Sequence, residues 1–235
     1  MSSSSLQRLS LILLVGLSIA ARAKELWLAN TRGSRSVVSY NLDTNEFGDD
    51  IVPAEAALEE PDHMVVDGNY LYVSHGTSSA TSGILRMNML DGTYDKNFIS
   101  GGSNLLQPFG FAIYNGLIYV ASFRSDEILS YDLATGDFVE QVAVGDGTAE
   151  GLINGPNQMA IHDGVLYLTT QGSVADGVGG IDWPGHPSQI VAIDLATGDK
   201  EIFVPQPEAL GAFVSLLGIE IGCGDDSLVD DDCTM

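Results

Sequence analysis

The feature that most constrains the fold of this chain is an internal repeat. Three matching segments begin at Pro61, Pro108 and Pro156, so the repeat unit is 47 or 48 residues long. Each segment has the pattern of a short apolar strand, a turn at a glycine, and a second strand that contains a tyrosine. Glycine suits such a turn because it adopts positive φ at little cost. The repeat therefore predicts a β-hairpin at the start of every unit.

A second hairpin follows in each unit. Its first strand alternates apolar and polar residues and ends in a turn of the type Asp-x-x-Thr-Gly, as at 132–136 and 194–198. Each unit is thus predicted to be a sheet of four antiparallel strands. Because such a sheet cannot bury both of its faces alone, radial stacking of the sheets into a β-propeller is the favoured arrangement. A β-sandwich with coincidental similarity between its strands is the alternative.

Residues 117–136, LIYVASFRSDEILSYDLATG, resemble a blade of the NHL and YVTN-type propellers. The gluconolactonase and senescence-marker group is similar in blade pattern. The resemblance extends over nearly the whole chain after residue 23, and it implies an all-β fold, a β-propeller of four-stranded antiparallel blades with about four blades present. It implies no particular activity, because that fold carries lyases, lactonases, phosphotriesterases and pure binding modules.

The first 23 residues have the pattern of a secretory signal peptide. A polar start with Arg8 leads into an apolar run over 11–20, and small residues flank a cleavage position at 21–23. An uncleaved membrane anchor is the alternative. The propeller domain then occupies 24–235, with units at about 24–54, 55–104, 105–150 and 151–206, and the start of a further strand or blade at 207–235. A secreted, extracellular protein is expected.

Closure of the ring has two interpretations. A strand predicted over 215–222 could complete the first unit, which lacks its own first strand, and so close a four-bladed ring. Alternatively, the sequence is an incomplete copy of a six- or seven-bladed ring. The second interpretation is favoured here, because propellers that resemble this repeat usually have six or seven blades.

The charge of the chain excludes one class of partner. It has 32 acidic residues against 9 Lys plus Arg, a net charge of −23. Binding to nucleic acid needs clustered basic residues, so no nucleic-acid partner is expected. Removal of the leader, which contains Arg8, Arg22 and no acidic residue, would change the charge to −25. The many negative charges repel each other, and salt or divalent cations reduce this repulsion. The charge therefore predicts that the protein works in a salty or calcium-containing medium.

A ligand site is predicted where the first strand of each unit begins and the second strand ends, because loops at one end of a rigid scaffold commonly bind ligands. The ring of polar and aromatic residues there suits a small polar ligand or an extracellular protein, and a solvent-filled mouth is the alternative. The predicted ligand-binding residues are Asn30, Arg32, Asp62, His63, His75, Phe109, Phe123, Arg124, Asn157, Gln158, Gln171 and Trp183.

A metal site is a weaker hypothesis. Asp62, His63 and Asn157 are its candidate ligands, and calcium suits the many carboxylates and amides better than zinc does. Propeller lyases that resemble this repeat use inward-pointing histidines, but the matching positions in the other units are not histidines. Ordinary loop residues are the alternative. No catalytic residue is assigned.

Two further segments stand out. The fourth unit carries an insertion over 171–188, rich in glycine and containing Trp183, which predicts either a mobile lid over the ligand site or a surface loop. Near the end, Cys223 and Cys233 are predicted to form a disulfide, as expected in an exported protein. The acidic loop between them is expected to be solvated.

The sequence thus predicts a secreted β-propeller that acts as a ligand-binding or protein-interaction module. The alternative is a metal (calcium)-dependent hydrolase or lyase that acts on a small extracellular substrate at the mouth of the channel.

Overall fold

The computed structural model describes residues 24–30, 35–102, 105–176, 179–207 and 216–222. Within these ranges the chain forms seventeen strands and two short 3₁₀ helices, Ala54–Ala56 and Ala149–Gly151. Every strand pair is antiparallel and joins strands close in sequence. The all-β prediction is confirmed. The signal peptide predicted over residues 1–23 lies outside the described residues, and no helix in the described ranges is long and apolar enough to span a bilayer.

The strands form four sheets, here called blades 1 to 4 in chain order. Blade 1 contains β1 (Glu25–Ala29), β2 (Val37–Asn41) and β3 (Glu46–Val52). Blade 2 contains β4 (Met64–Asp67), β5 (Tyr70–His75), β6 (Gly83–Asn88) and β7 (Tyr94–Ser100). Blade 3 contains β8 (Pro108–Tyr114), β9 (Leu117–Ser122), β10 (Glu127–Asp132) and β11 (Phe138–Val144).

Blade 4 carries the insertion. Its sheet has the order β12 (Pro156–His162), β13 (Val165–Thr170), β16 (Ile190–Asp194) and β17 (Lys200–Val204). Between β13 and β16 lies a small hairpin of β14 (Val174–Ala175) and β15 (Ile181–Asp182). The four-stranded units predicted from the repeat are therefore present in blades 2, 3 and 4, and blade 1 has three strands.

Successive side chains of a strand point to opposite faces of the sheet, and each blade carries apolar side chains on both faces. We call the face toward the following blade the forward face, and the face toward the preceding blade the backward face. In blade 2, Leu71 and Val73 pack backward against Val37 of blade 1, whereas Tyr72 packs forward against Ile118 of blade 3. One core cluster fills each of the three junctions, between blades 1 and 2, 2 and 3, and 3 and 4. Each junction is thus built from the same strand positions.

The predicted Asp-x-x-Thr-Gly turns connect the last two strands of the blades. In blade 3, the Asp132 carboxylate accepts hydrogen bonds from the backbone N–H groups of Ala134 and Thr135, at 2.9 and 2.8 Å. Gly136 then adopts a φ of 78°, which a glycine tolerates readily. These hydrogen bonds to the charged form lower the pKa of Asp132. Asp194 of blade 4 makes the equivalent turn with Ala196 and Thr197.

Residues 216–222 differ from the sequence prediction. A strand was predicted over 215–222, but residues 216–222 belong to no strand and leave β1 as an edge of blade 1. Ile219 to Gly222 instead line a cavity together with the first strands of blades 2, 3 and 4. In the described part of the chain, no core cluster joins blade 4 to blade 1. The described blades therefore form an arc whose two end faces do not pack on each other.

Candidate functional site

A cavity of about 660 Å³ lies between β4, β8 and β12, the first strands of blades 2, 3 and 4. Most of its lining residues are apolar, polar atoms contribute a substantial share of the lining surface, and the last described segment of the chain closes part of it. The lining includes Met64, Val65, Val66, Phe111, Ala112, Ile113, Met159, Ala160, Ile161, Ile219, Ile221 and Gly222. Pockets of 300–1,000 Å³ with a mainly apolar lining and a few polar groups are typical of small-molecule sites.

Three ionisable side chains join this lining, His63, His162 and Glu220. His63 directly precedes β4, and His162 is the last residue of β12, so the two histidines come from opposite ends of their strands. The exposed His162 ring lies 3.4 Å from the Asp163 carboxylate. Burial lowers the pKa of His63, which favours a neutral ring that can donate and accept hydrogen bonds.

The His63 ring is fixed by its neighbours. It packs edge-to-face against Phe111, with the ring centroids 5.1 Å apart. Its backbone N–H donates to the Ser74 hydroxyl at 3.0 Å, and that hydroxyl donates to the carbonyl of Phe109 at 2.8 Å. A hydroxyl of blade 2 thereby binds the first strand of blade 3 beside the cavity.

The structure separates the two histidines that the sequence analysis placed together. His75 is 1% exposed and lies over Gly83, its partner in β6, where the missing side chain leaves room for the ring. Its Nε2 atom contacts the carbonyl of Lys96 in β7 at 3.1 Å. The ring therefore points toward the outer strands of blade 2, and burial lowers its pKa.

Phe109 and Phe123 meet, with ring centroids 4.7 Å apart. Phe123 is 4% exposed and lies against Gly155, whose position could not accept a side chain without meeting Phe123 and Ser173. This aromatic pair belongs to the packing between blades 3 and 4. Neither residue lines the cavity.

Asn157 and Gln158 lie where blades 3 and 4 approach most closely. A Cβ atom added to Gly110 would lie 2.6 Å from both the Asn157 carbonyl oxygen and the Gln158 Cα atom. Asn157 is buried, and the Gln158 backbone N–H donates to the Thr169 hydroxyl at 3.0 Å. Both residues, predicted as ligand contacts, serve this close contact between β8 and β12.

The insertion of blade 4 is tethered to blade 3. The buried Asp126 carboxylate accepts the N–H of Gly155 at 2.8 Å and the N–H of Ala175 in β14 at 2.6 Å. Burial raises the pKa of Asp126, and these two hydrogen bonds oppose the rise. Arg124 donates to Gln107 and, at 2.9 Å, to the carbonyl of Gly179. Arg124, a predicted ligand contact, thus anchors the insertion.

The remaining predicted residues are placed as follows. Asp62 is exposed in the segment before β4, and partial desolvation raises the pKa of its carboxyl. Gln171 is buried at the start of the insertion, and Trp183 is 53% exposed. Asn30 directly follows β1, and its backbone N–H donates to the carbonyl of Ser36. Arg32, Cys223 and Cys233 lie outside the described residues. Of the eleven predicted ligand contacts that the structure describes, only His63 lines the cavity.

Within the described ranges, no group of three or more His, Cys, Asp and Glu side chains is arranged to hold a metal ion. The hypothesised set of Asp62, His63 and Asn157 divides between different environments: His63 is at the cavity, Asp62 is exposed and Asn157 is buried. The calcium site stays a prediction from the sequence.

The residues that sequence reasoning missed are the aliphatic ones of the first strands. The predicted ligand contacts lie at one end of the blades, where the first strand begins and the second strand ends, so the middle of each first strand was not among them. Ala112 and Ala160 stand at equivalent positions of β8 and β12, and both line the cavity. That repeated alanine was the available signal.

Comparison with known proteins supports the fold. No family model and no curated protein matches the sequence. A chain in the crystal structure of a nidogen/laminin complex is similar, with a TM-score of 0.51 and 14% identity. Kuenenia stuttgartiensis hydrazine synthase is similar with a TM-score of 0.53 and 19% identity. Each alignment covers 77% of this chain, but this chain spans only 61% and 46% of the two structures. The likeness, with the four-stranded sheets, shows a β-propeller fold.

Proposed function

We propose that this protein is an exported β-propeller module that binds a small ligand in the cavity between its innermost strands. The observation that carries the proposal is the cavity itself, about 660 Å³ in volume and lined by three successive blades and the segment 219–222. The leader-like pattern over residues 1–23 supports export. The NHL and YVTN-like blade pattern supports a binding module as readily as an enzyme, and we assign no catalytic step.

The lining defines the class of ligand. The mixed lining favours a ligand with an apolar body and a few polar groups, since burial of apolar surface supplies affinity and polar groups fix the orientation of the ligand. This modifies the expectation of a polar ligand. A neutral His63 would meet a hydroxyl or carbonyl group of the ligand, because it offers one donor and one acceptor nitrogen. Glu220 would disfavour a second negative charge there.

An extracellular protein is the second class of partner in this proposal. One structural neighbour comes from a complex between two proteins. The exposed apolar residues at the two ends of the arc support such contacts.

Binding of the neutral fluorophore Nile red tests the cavity. Ala112 lines the cavity and shares the forward face of blade 3 with its cross-strand partner Tyr119. Ala112→Phe would therefore place a ring in the space between β8 and β12, and we expect at least a ~10-fold weaker Kd, measured by fluorescence titration. Ala134→Phe is the matched control, because Ala134 lies in an exposed turn of the same blade and should leave the Kd unchanged. Equal Kd values for the two variants would refute cavity binding.

The probe could also adsorb to exposed apolar residues elsewhere. Leu28→Asp and Phe203→Asp remove apolar groups that are 41% and 56% exposed and do not line the cavity. Both variants should bind Nile red as the parent protein does. A loss of signal in these variants, with full binding by Ala112→Phe, would assign the fluorescence to the surface and also reject the proposal.

A further inference from the structure

The repeated tyrosine marks the forward face of each blade. Tyr72 of blade 2 is 2% exposed beneath blade 3, and Tyr119 of blade 3 is 6% exposed beneath blade 4. Tyr167 is the third member of the series, on the face of blade 4 that no described blade covers. It packs edge-on against Phe203, which is itself 56% exposed, and Val204 is exposed beside them. We call Tyr167, Phe203 and Val204 the forward end face.

The opposite end of the arc shows the complementary pattern. Leu71 and Val73 of blade 2 are fully buried against blade 1, whereas Leu26 and Leu28 occupy the same repeat positions in blade 1 and are 48% and 41% exposed. Leu26 pairs with Tyr40, and Tyr40 pairs with Phe47, so these side chains share one face of the sheet. Phe47 is 71% exposed. We call Leu26, Leu28, Tyr40 and Phe47 the backward end face.

These two end faces are the halves of a junction that the chain already builds three times. At each internal junction, a forward face with its tyrosine or tryptophan packs on a mainly aliphatic backward face, to which blade 3 also contributes Phe111 and Tyr131. The surface that matches the forward end face by repeat position is therefore the backward end face. The two do not share a core cluster within one molecule, as far as the described residues extend.

We propose that the end faces join two copies of this chain head to tail, with the forward end face of one copy against the backward end face of the next. Such a contact is heterologous, so it leaves a free face at each end unless the assembly closes into a ring. It continues the packing of the internal junctions and removes an apolar patch from water at both ends of the arc.

The charge of the chain sets the conditions for association. Glu46, Asp49 and Asp50 lie on the same strand as Phe47, and Glu201 precedes Phe203 in β17. With a net charge of −23, two copies repel each other in dilute buffer. Salt screens this repulsion over a Debye length of roughly 8–10 Å at moderate ionic strength. Association should therefore strengthen as salt is raised.

Sedimentation equilibrium of two single-face variants tests the proposal. Leu28→Asp damages only the backward end face, and Phe203→Asp damages only the forward end face. In 0.5 M NaCl, the parent protein should associate into dimers or larger species, and each variant alone should be monomeric. An equimolar mixture should form a 1:1 dimer, because each variant retains the one face that the other lacks. Leu90→Asp, at a 73% exposed turn position off both faces, is the control and should associate as the parent does.

Each other outcome overturns the inference. A parent protein that stays monomeric at high concentration and high salt shows that the end faces do not join copies. Association of the parent without complementation in the mixture shows a symmetric contact instead of a head-to-tail one. Both substituted side chains are exposed, so circular dichroism and thermal melting should match the control. A lower Tm of both variants, with a monomeric parent, would show that the end faces meet within a single molecule.

Discussion

Blades 1 and 2 have nearly the same strand pattern but very different burial. Leu71 and Val73 in β5 are fully buried, and their equivalents in β1, Leu26 and Leu28, are nearly half exposed. The local structure is alike in both, an antiparallel pair in the same register relation to the following strand. The difference lies in the neighbour, because the described blades cover blade 2 on both faces and blade 1 on one. The repeat therefore specifies the sheet, and the burial that stabilises it comes from the adjacent blade.

The largest expected effect comes from exchanging the paired leucines for alanine. Leu71→Ala should lower the free energy of unfolding by about 2–5 kcal/mol, because it removes a fully buried side chain and leaves a cavity. Leu26→Ala should cost about 1 kcal/mol or less, since its side chain is already half in water. Urea denaturation at a protein concentration and salt level that keep the parent monomeric measures both. Equal losses would mean that the backward face of blade 1 is covered.

The close approach of blades 3 and 4 gives a second, smaller contrast. Gly110→Ala would bring a Cβ atom to 2.6 Å from backbone atoms of Asn157 and Gln158, so one strand must move, at a cost of about 1–3 kcal/mol. Gly48→Ala in blade 1 would meet only the Ser39 side chain, whose hydroxyl can rotate away at the cost of its 2.9 Å hydrogen bond to the Asp49 carbonyl. That variant should lose less stability than Gly110→Ala, about 1 kcal/mol or less, because one side chain moves and no strand does. Thermal melting of the two proteins measures this difference. Gly110 lies against the backbone of the next blade, whereas Gly48 lies against a side chain of its own blade. A Gly48→Ala loss as large as the Gly110→Ala loss would contradict it.

The blade architecture was predictable because each unit repeats the same chemistry. The tyrosines at 72, 119 and 167, and the glycines of the turns, recur at nearly fixed intervals, and this repetition predicts the strands and their order. The three strands of blade 1 were predictable as well, because no segment before residue 25 matches the first strand of blades 2, 3 and 4.

The candidate site was harder to predict. His63 and His75 belong to the same end of blade 2, but His63 reaches the cavity and His75 lies over Gly83 toward the outer strands. Position along a strand identified the end of the blade and not the direction of the side chain. Asn157, Phe123 and Arg124 were predicted as ligand contacts, but they pack or tether neighbouring blades. Those roles depend on how closely two sheets approach, which a single repeat unit does not encode.

The smallest expected effect concerns pH, and it sharpens the contrast between covered and open blades. His75 is buried on the face of blade 2 that blade 1 covers, and Asn30 takes its repeat position in blade 1. Burial lowers the pKa of His75 below its usual value near 6.5, with Glu59 and Lys96 as the charged groups around it. The unfolded chain therefore binds a proton at a higher pH than the folded one does. The stability contributed by the neutral ring is complete above the unfolded pKa and is lost as pH falls through the window below it.

His75→Gln should flatten the stability curve between pH 7 and pH 5, because glutamine has no proton to gain. His162→Gln is the control, since that side chain is 61% exposed beside Asp163 and lies on the rim of the cavity. Urea midpoints at half-unit pH intervals measure the slope of each protein. If the slope of His75→Gln equals that of the parent, the ring titrates in the folded protein as it does in the unfolded chain. Water would then reach His75 on the backward face of blade 2. The difference in burial between the backward faces of blades 1 and 2 would be smaller than their packing indicates.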